Sequence, residues 1–365
     1  MLKRSILLFG VILMVVACST KPQFVINGKV VNGNDLDIKL IQRIGKEYVI
    51  LDSTVIVGGE FLLNGKVEFP EVAYLEISGK EQKRIFYLEN SIITIIADAD
   101  SLQQAKVRGS GSENEYVKYN EMMKPFKTKE NEIGEKYSAA QATNDEALME
   151  ELYNEYMQND EKKNAVKKEY IKANPASFVT PGILRSVSME LKADELEEFV
   201  NLLAVNVKQT PIVKGLKERI TALKSTAIGM KAPDFELNDP DGNPIKLSQV
   251  IGSKLLLLDF WAAWCGPCRR ENPNVVAVYN EFKNQGFDVL GVSLDSEKDN
   301  WMQAIEDDKL TWTHVSALQY WDCPAAKKYA VMSIPANFLL DENGVIIAKN
   351  LREEALREKV AELLK

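Results

Sequence analysis

One apolar strand restricts the fold of this chain more than any other feature. Leu255–Leu258 is an uninterrupted apolar run, which is typical of a strand that is buried on both faces of a sheet. From Ile228 onward, strand-like and helix-like segments alternate along the chain. This alternation predicts a mixed sheet covered by helices, and therefore an α/β fold for the C-terminal part.

A cysteine pair, Cys265 and Cys268, follows this strand in the sequence WCGPC, at the start of a predicted helix. Zinc needs four ligands, usually from two such pairs, and the sequence has no second pair. A structural disulfide would close a very small loop and stabilise the fold little. A redox dithiol explains the spacing, because one helical turn places Cys268 behind Cys265 and the helix N-terminus stabilises the Cys265 thiolate. The pair therefore favours a redox site.

The composition argues against several other classes of site. The 365 residues include a single histidine, His314, so a histidine-rich metal centre or a Ser-His-Asp site is not expected. Lys and Arg number 45 against 53 Asp and Glu, and the net charge of −8 argues against nucleic-acid binding. No glycine-rich phosphate or dinucleotide loop follows a plausible strand. We therefore expect neither a metal nor a cofactor.

The segment DFWAAWCGPC, residues 259–268, resembles the active-site segment of thioredoxin. Over residues 228–365 the chain resembles the TlpA- or ResA-like thiol–disulfide oxidoreductases of the cell envelope, which share a domain with AhpC/TSA peroxiredoxins. The resemblance implies a thioredoxin-like fold in which Cys265 attacks a substrate disulfide and Cys268 resolves the mixed disulfide. Asp259, six residues before Cys265, matches the buried acid that assists deprotonation of the second cysteine.

The same resemblance implies substrate-binding roles around the cysteine pair. The residues concerned are Trp264, Gly266, Pro267, Ile334 and Pro335. Among them, Pro335 matches the cis-proline that lies against the disulfide, and Gly-Pro is the dipeptide of reducing thioredoxins. Two simpler interpretations stay open: Asp259 as a strand-end carboxylate bonded to the backbone, and Pro335 as an ordinary trans proline before a strand.

The first 23 residues predict an export signal and a tether. Two basic residues precede Ile6–Val16, an uncharged run that is too short for a bilayer, which needs ~20 residues. The sequence VVACS that ends the run resembles the lipobox of bacterial lipoproteins, which are cut before the cysteine, here Cys18, and acylated on it. We expect a signal peptide at 1–17, an acylated tether at 18–23 and an envelope lipoprotein that is membrane-anchored and faces the periplasm.

Residues 24–110 predict an all-β sandwich or roll. Short strands with alternating apolar residues are separated by Gly, Asn and Asp clusters. Three dipeptides are expected in hairpin turns: Asn27-Gly28, Gly58-Gly59 and Asn64-Gly65. This stretch resembles a domain of unknown function that precedes thioredoxin domains in some bacterial lipoproteins. It carries no candidate site.

Residues 111–227 predict a helical region. Ser112 and Glu115 have the spacing of a capping box, which marks a helix start. Asn174-Pro175 is expected to end a long helix. The C-terminal region, residues 228–365, then carries the candidate site.

Together these features predict a thiol–disulfide oxidoreductase of the bacterial cell envelope that reduces disulfides of exported proteins. The expected partners are disulfide-containing envelope proteins, often apocytochromes in relatives, a membrane thiol electron donor and a lipid anchor.

A non-enzymatic binding or scaffolding lipoprotein and a peroxide reductase stay open as alternatives, although Phe260–Trp264 lacks the hydroxyl residue of peroxide reductases. Cys323 has no assigned partner, and it is either a partly buried cysteine without a catalytic role or a resolving thiol. We expect His314 to be structural.

Overall fold

A computed structural model describes residues 23–45 and 47–365. The predicted signal peptide and the predicted acylation site, Cys18, lie outside these residues. Contacts divide the chain into two compact units: the first runs to Asp160 and includes Ser177–Val179, and the second comprises Glu161–Ala176 and Thr180–Lys365. The expected domain boundaries at residues 110 and 227 stay predictions.

The first unit contains two four-stranded sheets. Its strands are β1 (Phe24–Val31), β2 (Asp37–Ile44), β3 (Glu47–Val55), β4 (Glu60–Gly65), β5 (Glu71–Ile77), β6 (Lys83–Leu88), β7 (Ile92–Asp98) and β8 (Lys106–Arg108). The sheet orders are β4-β1-β7-β8 and β3-β2-β5-β6, and β1 and β7 run parallel. Alternate strand residues such as Phe24, Ile26 and Leu63 are buried in one core. The prediction of a β-rich N-terminal region is confirmed.

Two of the three predicted hairpin turns are wrong. Asn64-Gly65 lies at the end of β4, where Gly65 pairs with Phe24 of β1. Asn27-Gly28 lies inside β1, because the missing side chain at Gly28 makes room for the ring of Phe61. A Cβ atom at Gly28 would lie 1.8 Å from the Cε1 atom of that ring. Gly58 and Gly59 do form a turn, with positive φ angles of 60° and 77°.

Two long helices follow the sheets: α1 (Gly111–Ala142) and α2 (Glu146–Ala173). Ser110, not Ser112, is the N-cap of α1, because its Oγ accepts a hydrogen bond from the Glu113 N–H at 3.0 Å. Ser112 instead donates its hydroxyl to Glu89 at 2.7 Å. Helix α2 ends before Asn174-Pro175 as predicted. No helix within the described residues is long and apolar enough to cross a membrane.

The second unit contains a seven-stranded mixed sheet and most of the shorter helices. Its elements are α3 (Thr180–Val187), α4 (Ala193–Leu202), α5 (Pro211–Ser225), β9 (Glu236–Asn238), β10 (Pro244–Lys246), α6 (Leu247–Val250), β11 (Leu255–Trp261), α7 (Gly266–Phe282), β12 (Phe287–Ser293), α8 (Lys298–Asp307), β13 (Thr313–Ser316), α9 (Pro324–Lys328), β14 (Ala336–Asp341), β15 (Ile346–Lys349) and α10 (Glu353–Leu363). The sheet order is β10-β9-β13-β12-β11-β14-β15.

Strand β11 occupies the interior of this sheet, as its apolar sequence predicts. It runs parallel to β12 and antiparallel to β14, and all seven of its residues are buried. Its carboxyl end leads directly into the loop before α7. Ligands of open α/β sheets bind at the carboxyl ends of strands, so the fold places the cysteine pair at such a position.

Candidate active site

The cysteine pair sits at the N-terminus of α7. Cys265 is the N-cap residue, and its Sγ accepts a hydrogen bond from the Cys268 N–H at 3.1 Å. The two cysteines form a disulfide with Cα atoms 5.2 Å apart. The free N–H groups of a helix N-terminus stabilise negative charge, so after reduction the same donors face the Cys265 thiolate. Within the described residues, no cluster of three or more metal-ligating side chains could hold a metal ion.

Asp259 lies on β11, where its register partners are Gly291 of β12 and Asn337 of β14. Its carboxyl group is buried, and burial raises the pKa of Asp259 to about 7. The Glu271 carboxylate adds to this shift and the Arg352 guanidinium opposes it. A group with a pKa near 7 exchanges protons readily at neutral pH.

Pro335 lies beside the end of β11. The peptide bond between Ile334 and Pro335 is cis, as the resemblance implies. Phe260 pairs with Ala336 across β11 and β14, so the register brings Pro335 next to Trp261. The structure thus brings Asp259, the cysteine pair and Pro335 to the same end of the sheet.

The loop between β11 and α7 is held at the peptide groups of Ala263. The Ala263 N–H donates to the buried carboxylate of Asp295 at 3.0 Å. The Ala263 carbonyl accepts a hydrogen bond from Arg269 at 3.4 Å. The Arg269 guanidinium also donates to both carboxylate oxygens of Asp308, at 2.5 and 2.9 Å. These contacts fix the backbone two residues before Cys265. Sequence reasoning missed Asp295, although a polar residue just past the end of a buried strand, here two residues after β12, is the signal that identifies it.

Trp264 belongs to a group of three aromatic rings. Its ring centroid lies 5.0 Å from that of Tyr320 and 6.1 Å from that of Trp321. Trp264 and Tyr320 are 45% and 44% exposed. Sequence reasoning identified Trp264 alone, because Tyr320 and Trp321 come from the distant loop between β13 and α9.

Cys323 and His314 are buried outside the cysteine pair. Cys323 is the N-cap of α9, as its position before Pro324 predicts, but it is fully buried and burial raises the pKa of its thiol. His314 lies on β13 between the rings of Trp261 and Trp312. Burial lowers the pKa of His314 to about 4, so its ring is neutral at physiological pH.

A mixed sheet with a cysteine pair after an interior strand, and a cis-proline directly before the neighbouring strand, defines a thioredoxin-like protein. The model of the AhpC/TSA family matches residues 228–349. The model of a domain of unknown function, DUF4369, matches residues 24–116. The family matches therefore cover the sheet of the second unit and the two sheets of the first.

Individual relatives match the C-terminal region. The thiol-disulfide oxidoreductase ResA of Geobacillus thermodenitrificans is 34% identical over 126 residues, which cover 34% of this chain and 70% of the relative. ResA of Bacillus subtilis is 30% identical over 127 residues, covering 34% of this chain and 67% of the relative. The chain therefore belongs to the ResA family of thiol-disulfide oxidoreductases. Family membership identifies it as an oxidoreductase, and the non-enzymatic alternative is set aside.

Two solved structures are also similar to this region. The thioredoxin domain of a thiol-disulfide oxidoreductase from Bacteroides vulgatus is 36% identical and covers 38% of this chain and 99% of that chain, with a TM-score of 0.36. A thiol-disulfide oxidoreductase from Bacteroides fragilis is 36% identical and covers 36% of this chain and 98% of that chain, with a TM-score of 0.35.

Proposed function

We propose that this protein reduces disulfides of exported proteins in the bacterial cell envelope through the dithiol of Cys265 and Cys268. The observation that carries the proposal is the position of Cys265 as the N-cap of α7, with its Sγ accepting the Cys268 N–H. This arrangement favours the thiolate over the thiol. A thiolate at this position is the nucleophile that disulfide exchange requires.

The reaction consists of two exchanges. The Cys265 thiolate attacks one sulfur of the substrate disulfide, which breaks that bond, forms a mixed disulfide and releases the other substrate sulfur as a thiolate that takes up a proton. Cys268 then loses its proton and attacks the Sγ of Cys265. The second substrate thiol is released, and the enzyme disulfide forms. Two electrons have passed to the substrate, so a thiol donor must reduce the enzyme again.

Asp259 is the proposed proton acceptor for Cys268. Its pKa of about 7 leaves a large fraction of the carboxylate ionised at neutral pH and still basic enough to take a proton. Trp264, Gly266, Pro267, Ile334 and Pro335 are the proposed substrate contacts. The backbone of Ile334 and Pro335 would bind an extended substrate segment.

The envelope location rests on the sequence. Acylation of Cys18 would anchor the protein, and a membrane thiol donor would supply its electrons. Several acyl chains anchor stably, whereas a single chain binds only marginally. Labelling of cells with a radioactive fatty acid tests the anchor: we expect label in the wild type and none in Cys18→Ser. Label in both variants would contradict acylation at Cys18.

The activity is tested with three single variants of the otherwise complete chain. We expect Cys265→Ser to lose reduction of a disulfide-containing protein, and Cys268→Ser to accumulate a mixed disulfide that mass spectrometry detects. Cys323→Ser is the matched control and should keep full activity. Activity of Cys265→Ser would contradict the mechanism, and faster turnover with hydrogen peroxide than with any disulfide would favour a peroxide reductase.

The reduction potential of the Cys265–Cys268 couple tests the direction of electron flow. Equilibration with thiol buffers, followed by alkylation and mass spectrometry, gives this potential. A strongly reducing value would support a reductase. An oxidising value would support disulfide formation or isomerisation instead, because direction depends on differences of about 30 mV, each worth about 1.4 kcal/mol.

A further inference from the structure

The loop between β13 and α9 has an unusual backbone next to the cysteine pair. Leu318 and Tyr320 have φ angles of 51° and 52°, in the left-handed region that residues other than glycine rarely adopt. Such backbone persists only where the surrounding structure imposes it, and it is concentrated at functional sites. The strained backbone presents the ring of Tyr320 to Trp264.

The rings of Trp264, Tyr320 and Trp321 form a continuous surface, which we call the aromatic platform. Tyr320 and Trp321 have centroids 6.0 Å apart, and both contact Trp264. Because Trp264 and Tyr320 are each almost half exposed, much of this ring surface faces water. Exposed aromatic surface of this kind marks interaction sites, since aromatic side chains bind partners at low cost in conformational entropy.

Trp264 of the platform also lines a cleft. This cleft has a volume of about 290 Å³ and is lined by Ala263, Trp264, Asn300, Gln303 and Asp307 among others. Such a volume lies just below the range of about 300–1,000 Å³ for ligand pockets. A small disulfide could reach Cys265 without touching both surfaces. A polypeptide could contact the platform and the cleft together while its disulfide faces Cys265.

We propose that the aromatic platform binds the polypeptide segment that carries the substrate disulfide, and that it selects segments with an aromatic or large apolar side chain next to the cysteine. This inference rests on the proposed function, because it names the substrate class of the same site. The new elements are Tyr320 and Trp321, which bind substrate and take no part in the exchange of sulfur atoms. Ring-to-ring packing would give the preference.

Tyr320→Gly removes the ring with the least disturbance of the loop. Glycine adopts a φ of 52° without steric cost, so the variant should unfold at the same denaturant concentration as the wild type or a higher one. Tyr320→Phe keeps the ring and is the conservative control. Tyr48→Ala removes an exposed tyrosine on β3 and is the remote control.

The substrates are two disulfide-linked peptide homodimers that differ only in having Phe or Ala after the cysteine. The pre-reduced, full-length protein is mixed with each peptide, and the second-order rate constant is followed by acid quench and mass spectrometry. We expect the wild type to reduce the Phe peptide about tenfold faster than the Ala peptide. The ratio should fall to about one in Tyr320→Gly and stay near ten in Tyr320→Phe and Tyr48→Ala.

Two results would overturn the inference while leaving the proposed function intact. One is a wild-type ratio near one; the other is a Tyr320→Gly variant that keeps the tenfold ratio. Reduction of Ellman's reagent by the wild type separates these from failure of the chemistry itself. If the wild type does not reduce that reagent, the proposed function is wrong, and the inference fails with it.

Discussion

The two sheet-forming regions of this molecule bury different kinds of side chain. Among the described residues of β1–β8, Gln42 is the only buried polar side chain. The thioredoxin-like region buries Asp259, Asp295 and His314, as well as the cysteine pair. Burial of an ionisable group opposes folding unless the group is paired. The strands of the first region therefore pack through apolar side chains, whereas the second region buries ionisable groups at the end of the sheet where its chemistry is proposed.

Asp259→Asn should have the largest effect on the pH dependence of stability. Between pH 4 and 7 the unfolded chain loses this proton, whereas the folded protein keeps it until about pH 7. The wild type should therefore lose up to about 4 kcal/mol of stability through this group as the pH rises. The variant, which cannot ionise there, should avoid that loss. Urea unfolding of both proteins at pH 4 and pH 8 measures the difference.

Asp288→Asn, on the neighbouring strand β12, is the control for Asp259→Asn. It removes an acid that is only partly buried. A stability difference between Asp259→Asn and the wild type that is the same at pH 4 and pH 8 would contradict the burial argument.

His314→Leu should act over the same pH range as Asp259→Asn but in the opposite direction. Below pH 6.5 the unfolded chain binds a proton at this position, but the folded protein stays neutral to about pH 4. The wild type should therefore lose about 2.4 kcal/mol through His314 between pH 7 and pH 4.5. The variant should lack this dependence, and comparison of the two pH values cancels any constant packing cost. Equal pH dependence in both proteins would show that His314 is protonated in the folded state.

Gly28→Ala tests the first region without touching the second. The added methyl group would overlap the Phe61 ring, and overpacking of this kind costs about 2 kcal/mol. We expect lower stability of the first unit, measured by hydrogen exchange, with an unchanged rate of disulfide reduction. Gly134→Ala on α1, where an added Cβ meets no atom within 4 Å, is the control and should stabilise its helix slightly. A large loss of activity in Gly28→Ala would mean that the first region contributes directly to the reaction.

Alkylation of Cys323 in the folded protein should be the smallest of the expected effects. Its side chain is fully buried and its thiol has a raised pKa, so little reactive thiolate forms. In the reduced, folded protein at pH 8, iodoacetamide should modify Cys265 and leave Cys323 unmodified until the protein is unfolded. Rapid modification of Cys323 in the folded protein would restore its interpretation as a resolving thiol.

Local sequence predicted the central features of the second region because each lies in one short segment. The apolar run of β11 predicted an interior strand, and the spacing of the two cysteines predicted a helix directly after it. Asp295 and Tyr320 could not be found in this way. They reach the loop before α7 from β12 and from the β13–α9 connection, so their positions depend on how the strands pair. Tertiary packing also overrode the local turn propensity of Asn27-Gly28.

One hydrogen bond crosses the start of the AhpC/TSA match. The Nη1 of Arg219 on α5 donates to the Ala330 carbonyl at 3.0 Å, just after α9 and five residues before the cis-proline. The AhpC/TSA match begins at residue 228, yet this bond joins a helix outside the match to a loop within it. The family match and the folded second unit therefore have different limits. A chain cut to residues 228–365 would lose the Arg219 donor, and water would have to replace it at the Ala330 carbonyl.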